Sequence, residues 1–354
     1  MKTVNIKIKY LLLLVLFFTI SYISLLGAYH FASDKSSFLS LGIFSKKLFI
    51  EVAFLLVVYY MTDALRFYFT LKAINVNVSI KYIINLAFIN IFVSNITPSA
   101  TGGGVAQIYF LSKKDVPIGA AIAGSSIRTA LPLIFFAIFT PIILIFDKNV
   151  DRLFPGRNIL FFVGIMVMLD IAIILIILKL FKNPDVVINI LKRIKLYFEK
   201  RKKSNRVHAL LDKLIGEIKR FPNHIKMYIT GNKIHVFLSV FFTLLYLFTL
   251  FLFPVLLIKD LNPSAPAVEI ILSQIVITFV MYFAPTPGAS GVAEATFILL
   301  FSNYVSQGDI VSLTFTWRLF TIYIGVVIGM ILFYIQVINN RDKIHVNKLG
   351  RADF

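Results

Sequence analysis

The stretch Asn95-Ile-Thr-Pro-Ser-Ala-Thr-Gly-Gly-Gly-Val-Ala-Gln107 interrupts a chain that is apolar on both sides of it. A second interruption, Ala284-Pro-Thr-Pro-Gly-Ala-Ser-Gly-Val-Ala-Glu294, occurs in the second half of the sequence. The apolar runs beside each break are shorter than the roughly 20 residues that a membrane-spanning helix needs. Irregular backbone at membrane depth is tolerated only where it is buried in protein or lines a wet cavity. We therefore predict two re-entrant helical hairpins, over residues 82–112 and 267–304, whose tips meet near the bilayer midplane and form a binding site.

The composition is that of a polytopic membrane protein. Of the 354 residues, 58% are hydrophobic and 15% are charged, and the mean hydropathy is +0.86, whereas a soluble domain is about half apolar and a quarter charged. The formal net charge of +19 comes from loops between apolar stretches, so it indicates contact with anionic lipid headgroups rather than with nucleic acid. Cysteine is absent and the five histidines are scattered. We expect no metal and no cofactor.

Six further apolar stretches are long enough to cross the bilayer as helices. They cover residues 10–29, 48–70, 117–146, 158–178, 233–258 and 310–338. A cleaved signal peptide is the competing interpretation of the first. The order span, span, hairpin, span occurs in residues 1–150 and again in residues 151–340. We therefore predict an all-α polytopic membrane protein with six full spans plus two re-entrant helical hairpins in two inverted repeats.

The basic residues give the predicted orientation. With the N-terminus inside, the cytoplasmic segments hold 26 Lys and Arg and the external segments hold 7, with 3 arginines inside spans. This bias agrees with the positive-inside rule at every crossing. Both termini are then cytoplasmic, in a multi-pass protein of the cytoplasmic membrane, and the first hairpin enters from the cytoplasm and the second from outside.

A basic insertion separates the first two spans of the second half. Residues 182–233 contain 14 basic and 4 acidic residues, with two stretches of apolar residues at helical spacing. One interpretation is a pair of amphipathic helices lying on the cytoplasmic surface and drawn to anionic lipid. The other is a solvated helical pair packed on the bundle. Residues 341–354 are predicted to be a disordered tail.

Two arginines inside apolar spans are the main candidate ligands. Arg128 and Arg318 both fall within a few ångströms of the midplane at 1.5 Å per helical residue. A buried guanidinium is costly in a membrane and is well shaped to hold a phosphate. The second arm of each hairpin also begins at membrane depth, where a helix N-terminus attracts anions. The alternative is that Arg128 pairs with Asp170 or Glu294 to hold the bundle together.

The hairpin tips supply the remaining candidates. Glycine lets backbone approach a ligand, and Ser and Thr hydroxyls donate hydrogen bonds, although small residues also favour tight helix packing in membranes. Asp63 and Arg66, at i and i+3, are predicted to be a structural pair near the cytoplasmic end of their span. The predicted substrate-binding residues besides the two arginines are Thr97, Ser99, Thr101, Gly102, Gly103, Gly104, Gln107, Thr286, Gly288, Ser290, Gly291, Glu294 and Asp170.

The motifs Thr97-Pro-Ser-x-x-Gly-Gly-Gly104 and Pro285-Thr-Pro-Gly-x-x-Gly-Val-x-Glu294, with their downstream arginines, resemble the lysylphosphatidylglycerol synthase transmembrane-region family of flippase-like membrane proteins. The likeness covers nearly the whole chain, although Ala289 stands where a second glycine is common in the family. It implies a lipid-translocating membrane domain. The two-part synthases add a soluble aminoacyl-transferase domain, which we do not expect here.

These observations favour one function and leave two alternatives. The favoured function is a flippase-like transporter, not an enzyme, that moves an anionic phospholipid, aminoacylated phosphatidylglycerol or a polyprenyl-phosphate-type lipid across the membrane. The alternatives are a phosphatidylglycerol lysyltransferase or its membrane subunit, and an ion-coupled carrier of a small anion. The expected partners are anionic membrane lipids, with a second copy of the chain and a separate lipid-modifying enzyme as further candidates.

Overall fold

The computed structural model describes residues 4–32, 41–146, 185–200 and 205–349, together with residues 164, 165, 168, 169, 171, 172, 175 and 179. All regular structure within these residues is helical. The helices are α1 Val4–Ala32, α2 Lys46–Ala73, α3 Ile80–Ile96, α4 Thr101–Ser112, α5 Ile118–Phe146, α6 Asp185–Lys200, α7 Asn205–Thr230, α8 Lys233–Leu261, α9 Ala267–Tyr282, α10 Val292–Phe301, α11 Ile310–Arg318 and α12 Ile324–Leu349.

Four helical segments in the described part are long and apolar enough to cross a membrane. They are α2, α5, α8 and the stretch Ile310–Val337, in which a π-helical segment, Leu319–Tyr323, joins α11 to α12. Of the other two predicted spans, residues 10–29 fall in α1, whose apolar part Leu12–Gly27 is shorter. Most of residues 158–178 lie outside the described residues.

The long helices expose large apolar side chains at helical spacing. On α8, Phe237, Phe241, Leu244 and Phe248 are between 46% and 65% exposed, and α2 and α5 carry similar stripes. Contiguous apolar surface of this kind is rare on soluble monomers. These stripes therefore face the hydrocarbon of the membrane, while the opposite faces of the helices pack against each other.

The bundle interior is formed mainly by two helix pairs. Helix α2 packs along α8, and α3 packs along the last helix, α12. Close α3–α12 packing depends on Gly329, because a Cβ there would lie 2.1 Å from the carbonyl oxygen of Phe88. Large buried aromatic rings fill the space elsewhere, as where Phe297 of α10 stacks on Trp317 of α11 with ring centroids 4.4 Å apart.

Two helix–break–helix elements occupy the predicted hairpin positions. Helices α3 and α4 pack against each other across a break at Pro98–Ala100, and α9 and α10 do so across Pro287–Ala289. Each break turns the chain with positive φ angles, at Ser99, Ala100, Gly288 and Ala289. The two breaks contact each other. The prediction that these distant motifs meet is therefore correct.

The basic insertion folds as two amphipathic helices. Helix α7 packs on the bundle through α5, whose Gly119 amide donates a hydrogen bond of 3.1 Å to Glu217 Oε2. Helix α6 packs on α7, and Lys195 Nζ lies 2.6 Å from Asp212 Oδ1. At the end of the chain, helix α12 extends to Leu349, into the segment 341–354 that the sequence predicts to be a disordered tail.

Candidate functional site

A cavity of about 320 Å³ lies where the two breaks face the long helices. Residues from both breaks line it, and so do residues from α2, α5, α8, α9 and the π-helical segment. Its lining residues Ser99, Ala100 and Tyr282 are exposed, so the cavity is open at the tip of the first break. Ligand pockets commonly measure about 300–1,000 Å³, so this space accommodates one small polar group.

Two buried arginines, Arg66 and Arg128, line the cavity and share the carboxylate of Asp63 behind it. Arg128 Nη2 donates to both carboxylate oxygens of Asp63, at 2.7 Å each. Arg66 binds the same carboxylate, with Nε 2.8 Å and Nη2 2.6 Å from Oδ1. The three residues are between 1% and 7% exposed. Two guanidinium groups therefore share the carboxylate of Asp63, so these three side chains comprise two positive groups and one negative group.

The structure gives Arg128 a partner that the sequence did not indicate. Arg128 pairs with Asp63 rather than with Glu294, and Asp170, the other predicted partner, lies outside the described residues. Asp63 and Arg66 form the predicted pair, and Arg66 also lines the cavity. Asp63 lies ten residues before the C-terminal end of α2, and Arg128 lies ten residues after the N-terminal end of α5. Each is therefore about 15 Å from that end of its helix.

Aromatic rings fix the position of Arg66. Its guanidinium lies 4.0 Å from the ring centroid of Tyr246, which in turn stacks on Tyr59 at 5.0 Å. The hydroxyls of these two tyrosines are 3.1 Å apart and hydrogen-bonded. A cation held over an aromatic face is stabilised by about 0.5–2 kcal/mol. The stack therefore orients Arg66 at the cavity, which both tyrosines also line.

Several polar atoms at the cavity have no hydrogen-bond partner among the described residues. They are Nη1 of Arg66, Nε1 of Trp317 and Oε1 of Gln274, all buried and all on cavity-lining residues. A buried polar group without a partner costs about 1–3 kcal/mol. Because each of these atoms has less than 1 Å² of accessible surface, a ligand in the cavity reaches them only after neighbouring side chains move.

Arg318 has a different environment from Arg128. It is 0% exposed and does not line the cavity. Its Nε lies 2.9 Å from Glu294 Oε1, and its Nη2 donates to the carbonyl oxygen of Gly288 at 2.7 Å. Glu294 also accepts a 2.7 Å hydrogen bond from the amide of Gly291. Arg318 and Glu294 thus neutralise each other and fix the second break from behind.

The predicted tip residues divide into two groups. Ser99, Gly104, Gln107, Thr286 and Gly288 line the cavity. Gln107 is 1% exposed and accepts a 2.8 Å hydrogen bond from Ser125 Oγ of α5. The cavity-lining tip residues come from both breaks, so the pairing of the two motifs creates the site.

The other tip residues stabilise the breaks themselves. Thr97 Oγ1 accepts a 2.9 Å hydrogen bond from the amide of Gly102. A Cβ at Gly103 would lie 1.9 Å from Ser94 Oγ, so that glycine permits α3–α4 packing. Ser290 is hydrogen-bonded to Ser21 of α1 at 2.9 Å. The predicted residues that do not line the cavity are Thr97, Thr101, Gly102, Gly103, Ser290, Gly291, Glu294 and Arg318.

Sequence reasoning did not assign several polar residues to the cavity, among them Arg66, Tyr59, Tyr246 and Gln274. Gln274 lies in the middle of an otherwise apolar hairpin arm, and a polar side chain at membrane depth is a signal of function. Nothing in the local sequence of Tyr59 and Tyr246 distinguishes them from tyrosines that only pack.

Comparison with known proteins agrees with this architecture. The family described as the lysylphosphatidylglycerol synthase TM region matches residues 8–329. A UPF0104 membrane protein of Archaeoglobus fulgidus is 24% identical over 80% of this chain and 85% of its own length. UPF0104 membrane proteins of Methanocaldococcus jannaschii and Pyrococcus horikoshii are 26% and 25% identical, over 75% and 78% of this chain and 78% and 82% of their own.

No solved structure matches the chain. The three relatives are named as membrane proteins, in agreement with the long apolar helices described above. The family match extends from α1 into α12 and includes both breaks and the charged cluster. The chain is an integral membrane protein that belongs to the lysylphosphatidylglycerol synthase TM region family.

Proposed function

We propose that the protein is a flippase-like transporter that passes the headgroup of an anionic lipid through the cavity while the lipid chains stay in the bilayer. The observation that carries this proposal is that Arg66 and Arg128, which share the carboxylate of Asp63, line a polar cavity inside an apolar bundle. A buried charge in a membrane protein is costly and usually serves an ion or substrate pathway. The two guanidinium groups that line the cavity attract an anionic headgroup.

The depth of the cluster supports the same function. Asp63 and Arg128 lie about 15 Å along their helices, and the hydrocarbon core is about 30 Å thick. The charge is therefore near the midplane, where a headgroup meets its highest barrier. A cationic, polar cavity at that depth lowers the barrier for a phosphate and does little for an uncharged lipid.

The proposed architecture comprises six spans and two re-entrant hairpins in inverted repeats, with both termini in the cytoplasm. Two helix–break–helix elements with touching breaks support it, since broken helices that meet at midplane form the substrate sites of many transporters. The positive-inside charge bias supports the orientation in the cytoplasmic membrane.

The size of the cavity restricts how the lipid is held. About 320 Å³ accommodates a headgroup but not two acyl chains. The apolar outer faces of the helices border the bilayer, so the chains of the lipid remain in contact with hydrocarbon during transfer. This arrangement costs little free energy because no chain leaves its apolar surroundings.

Translocation of fluorescent phosphatidylglycerol in proteoliposomes tests the function, with polyprenyl phosphate as a second substrate. We expect Arg128→Gln to slow transfer at least tenfold, while Lys259→Gln, at an exposed position of α8, keeps the parental rate. If Arg128→Gln transports at the parental rate, the cavity is not the pathway. Uptake of a water-soluble anion without lipid transfer would indicate a small-anion carrier instead, and lysyl transfer from charged tRNA would indicate an enzyme.

A further inference from the structure

The outward face of α6 is apolar and uncovered. Val186, Ile190 and Ile194 recur every four residues and are 50%, 52% and 39% exposed, so they form one stripe along the helix. The inner face of α6 is occupied, because Ile188 is 2% exposed and Lys195 pairs with Asp212 of α7. The stripe is therefore not the surface by which α6 packs on the protein.

The structure places α6 at the membrane boundary. Helix α7, which carries α6, contacts α5 near the start of that membrane-length helix, through the Gly119 amide and Glu217. On the other side, the described residues up to Lys179 are helical and expose large apolar side chains such as Leu175, which is 59% exposed. Helix α6 is thus attached through α7 to the start of a membrane-length helix.

A basic residue borders the apolar stripe. Arg193 lies three residues after Ile190 and is exposed, whereas Lys192, two residues after Ile190, lies on the opposite side of the helix. Residues 182–233 carry 14 basic against 4 acidic residues. An amphipathic helix with an apolar face and basic residues at its edge lies in the plane of a membrane interface and is attracted by anionic lipid. We propose that α6 inserts its stripe into the headgroup region and that Arg193 binds anionic lipid there, whereas α7 is a packing element of the bundle.

Site-directed fluorescence tests this assignment on the full chain, which has no native cysteine. Single-cysteine variants Ile190→Cys, on the stripe, and Asn189→Cys, the exposed neighbour outside it, are labelled with a polarity-sensitive dye. They are reconstituted in phosphatidylcholine vesicles with or without phosphatidylglycerol. We expect the dye at position 190 to shift to the blue and to be quenched by nitroxide lipids, most strongly with phosphatidylglycerol. The dye at position 189 should remain in water.

Charge removal gives the second readout. A basic residue near an anionic surface contributes about a fivefold preference for the membrane, so Arg193→Gln should shift the equilibrium toward water-exposed α6 about fivefold. Lys259→Gln is the control and should change nothing. Equal quenching at positions 189 and 190, or quenching at position 190 that changes neither with lipid charge nor with Arg193→Gln, overturns the proposal. Protection that grows with the protein-to-lipid ratio assigns the stripe to a second copy of the chain and overturns it as well.

Discussion

The clearest test of the charged cluster is to change Asp63 and Arg66 separately and together. Asp63→Asn leaves two buried guanidinium groups without their shared carboxylate, which now lies 2.6 Å from Arg66 and 2.7 Å from Arg128. Breaking a buried ion pair by removing one partner costs about 3–5 kcal/mol. We therefore expect Asp63→Asn to melt well below the parent in detergent. The double variant Asp63→Asn/Arg66→Gln should recover part of the loss, because one buried guanidinium instead of two then lacks the carboxylate of Asp63.

The same variants separate charge from stability in transport. Arg66→Gln keeps the two hydrogen bonds between Arg128 and Asp63 but brings the net charge of the cluster to zero. Two unit charges about 4 Å apart interact by about 4 kcal/mol in partly buried surroundings. Losing one third of this interaction energy in the transfer step slows the rate about tenfold. Arg66→Gln should thus be stable and at least tenfold slower with an anionic lipid. The double variant keeps one positive charge and should transport faster than Arg66→Gln.

The assays are thermal melting in detergent and dithionite-based translocation in proteoliposomes. The reasoning fails if Asp63→Asn melts at the parental temperature, because the carboxylate would then not hold the two arginines together. It also fails if Arg66→Gln and the double variant transport at the same rate, because net charge would then not be the property that the lipid senses.

Two further predictions concern the second break. Gly288→Ala places a Cβ 2.6 Å from the Phe17 ring at a φ of 59°, so it should lower the melting temperature in detergent. Ala289→Gly, at a φ of 56°, should be tolerated. Equal melting temperatures of the two variants would contradict the role of the turn. Arg318→Ala removes the ion-pair partner of buried Glu294. A cysteine introduced at Ala289, which is 7% exposed in the parent, should then react faster with a polar maleimide. The double variant Arg318→Ala/Glu294→Gln should react more slowly than Arg318→Ala, and identical rates would show that this ion pair does not hold the break.

Local sequence predicted the helices well. Apolar runs of sufficient length and the Pro and Gly residues at the two breaks are properties of short segments, and the structure contains α3, α4, α9 and α10 where they predict them. The outline of a membrane bundle therefore follows from hydropathy and backbone chemistry alone. The partner of each buried charge did not follow, because Asp63 and Arg128 are 65 residues apart and only the packing of α2 against α5 brings them together.

The two arginines show the physical reason for that limit. From the sequence, Arg128 and Arg318 are equivalent: each lies in an apolar helix downstream of a glycine-rich break, and each is costly to bury. Tertiary packing gives Arg318 one carboxylate of its own and places it behind the break, whereas Arg128 shares a carboxylate with Arg66 and faces the cavity. The sequence by itself determined a membrane bundle with two broken hairpins and buried charge. Which arginine shares a carboxylate and faces the cavity depends on contacts between distant helices, and only the tertiary structure decided it.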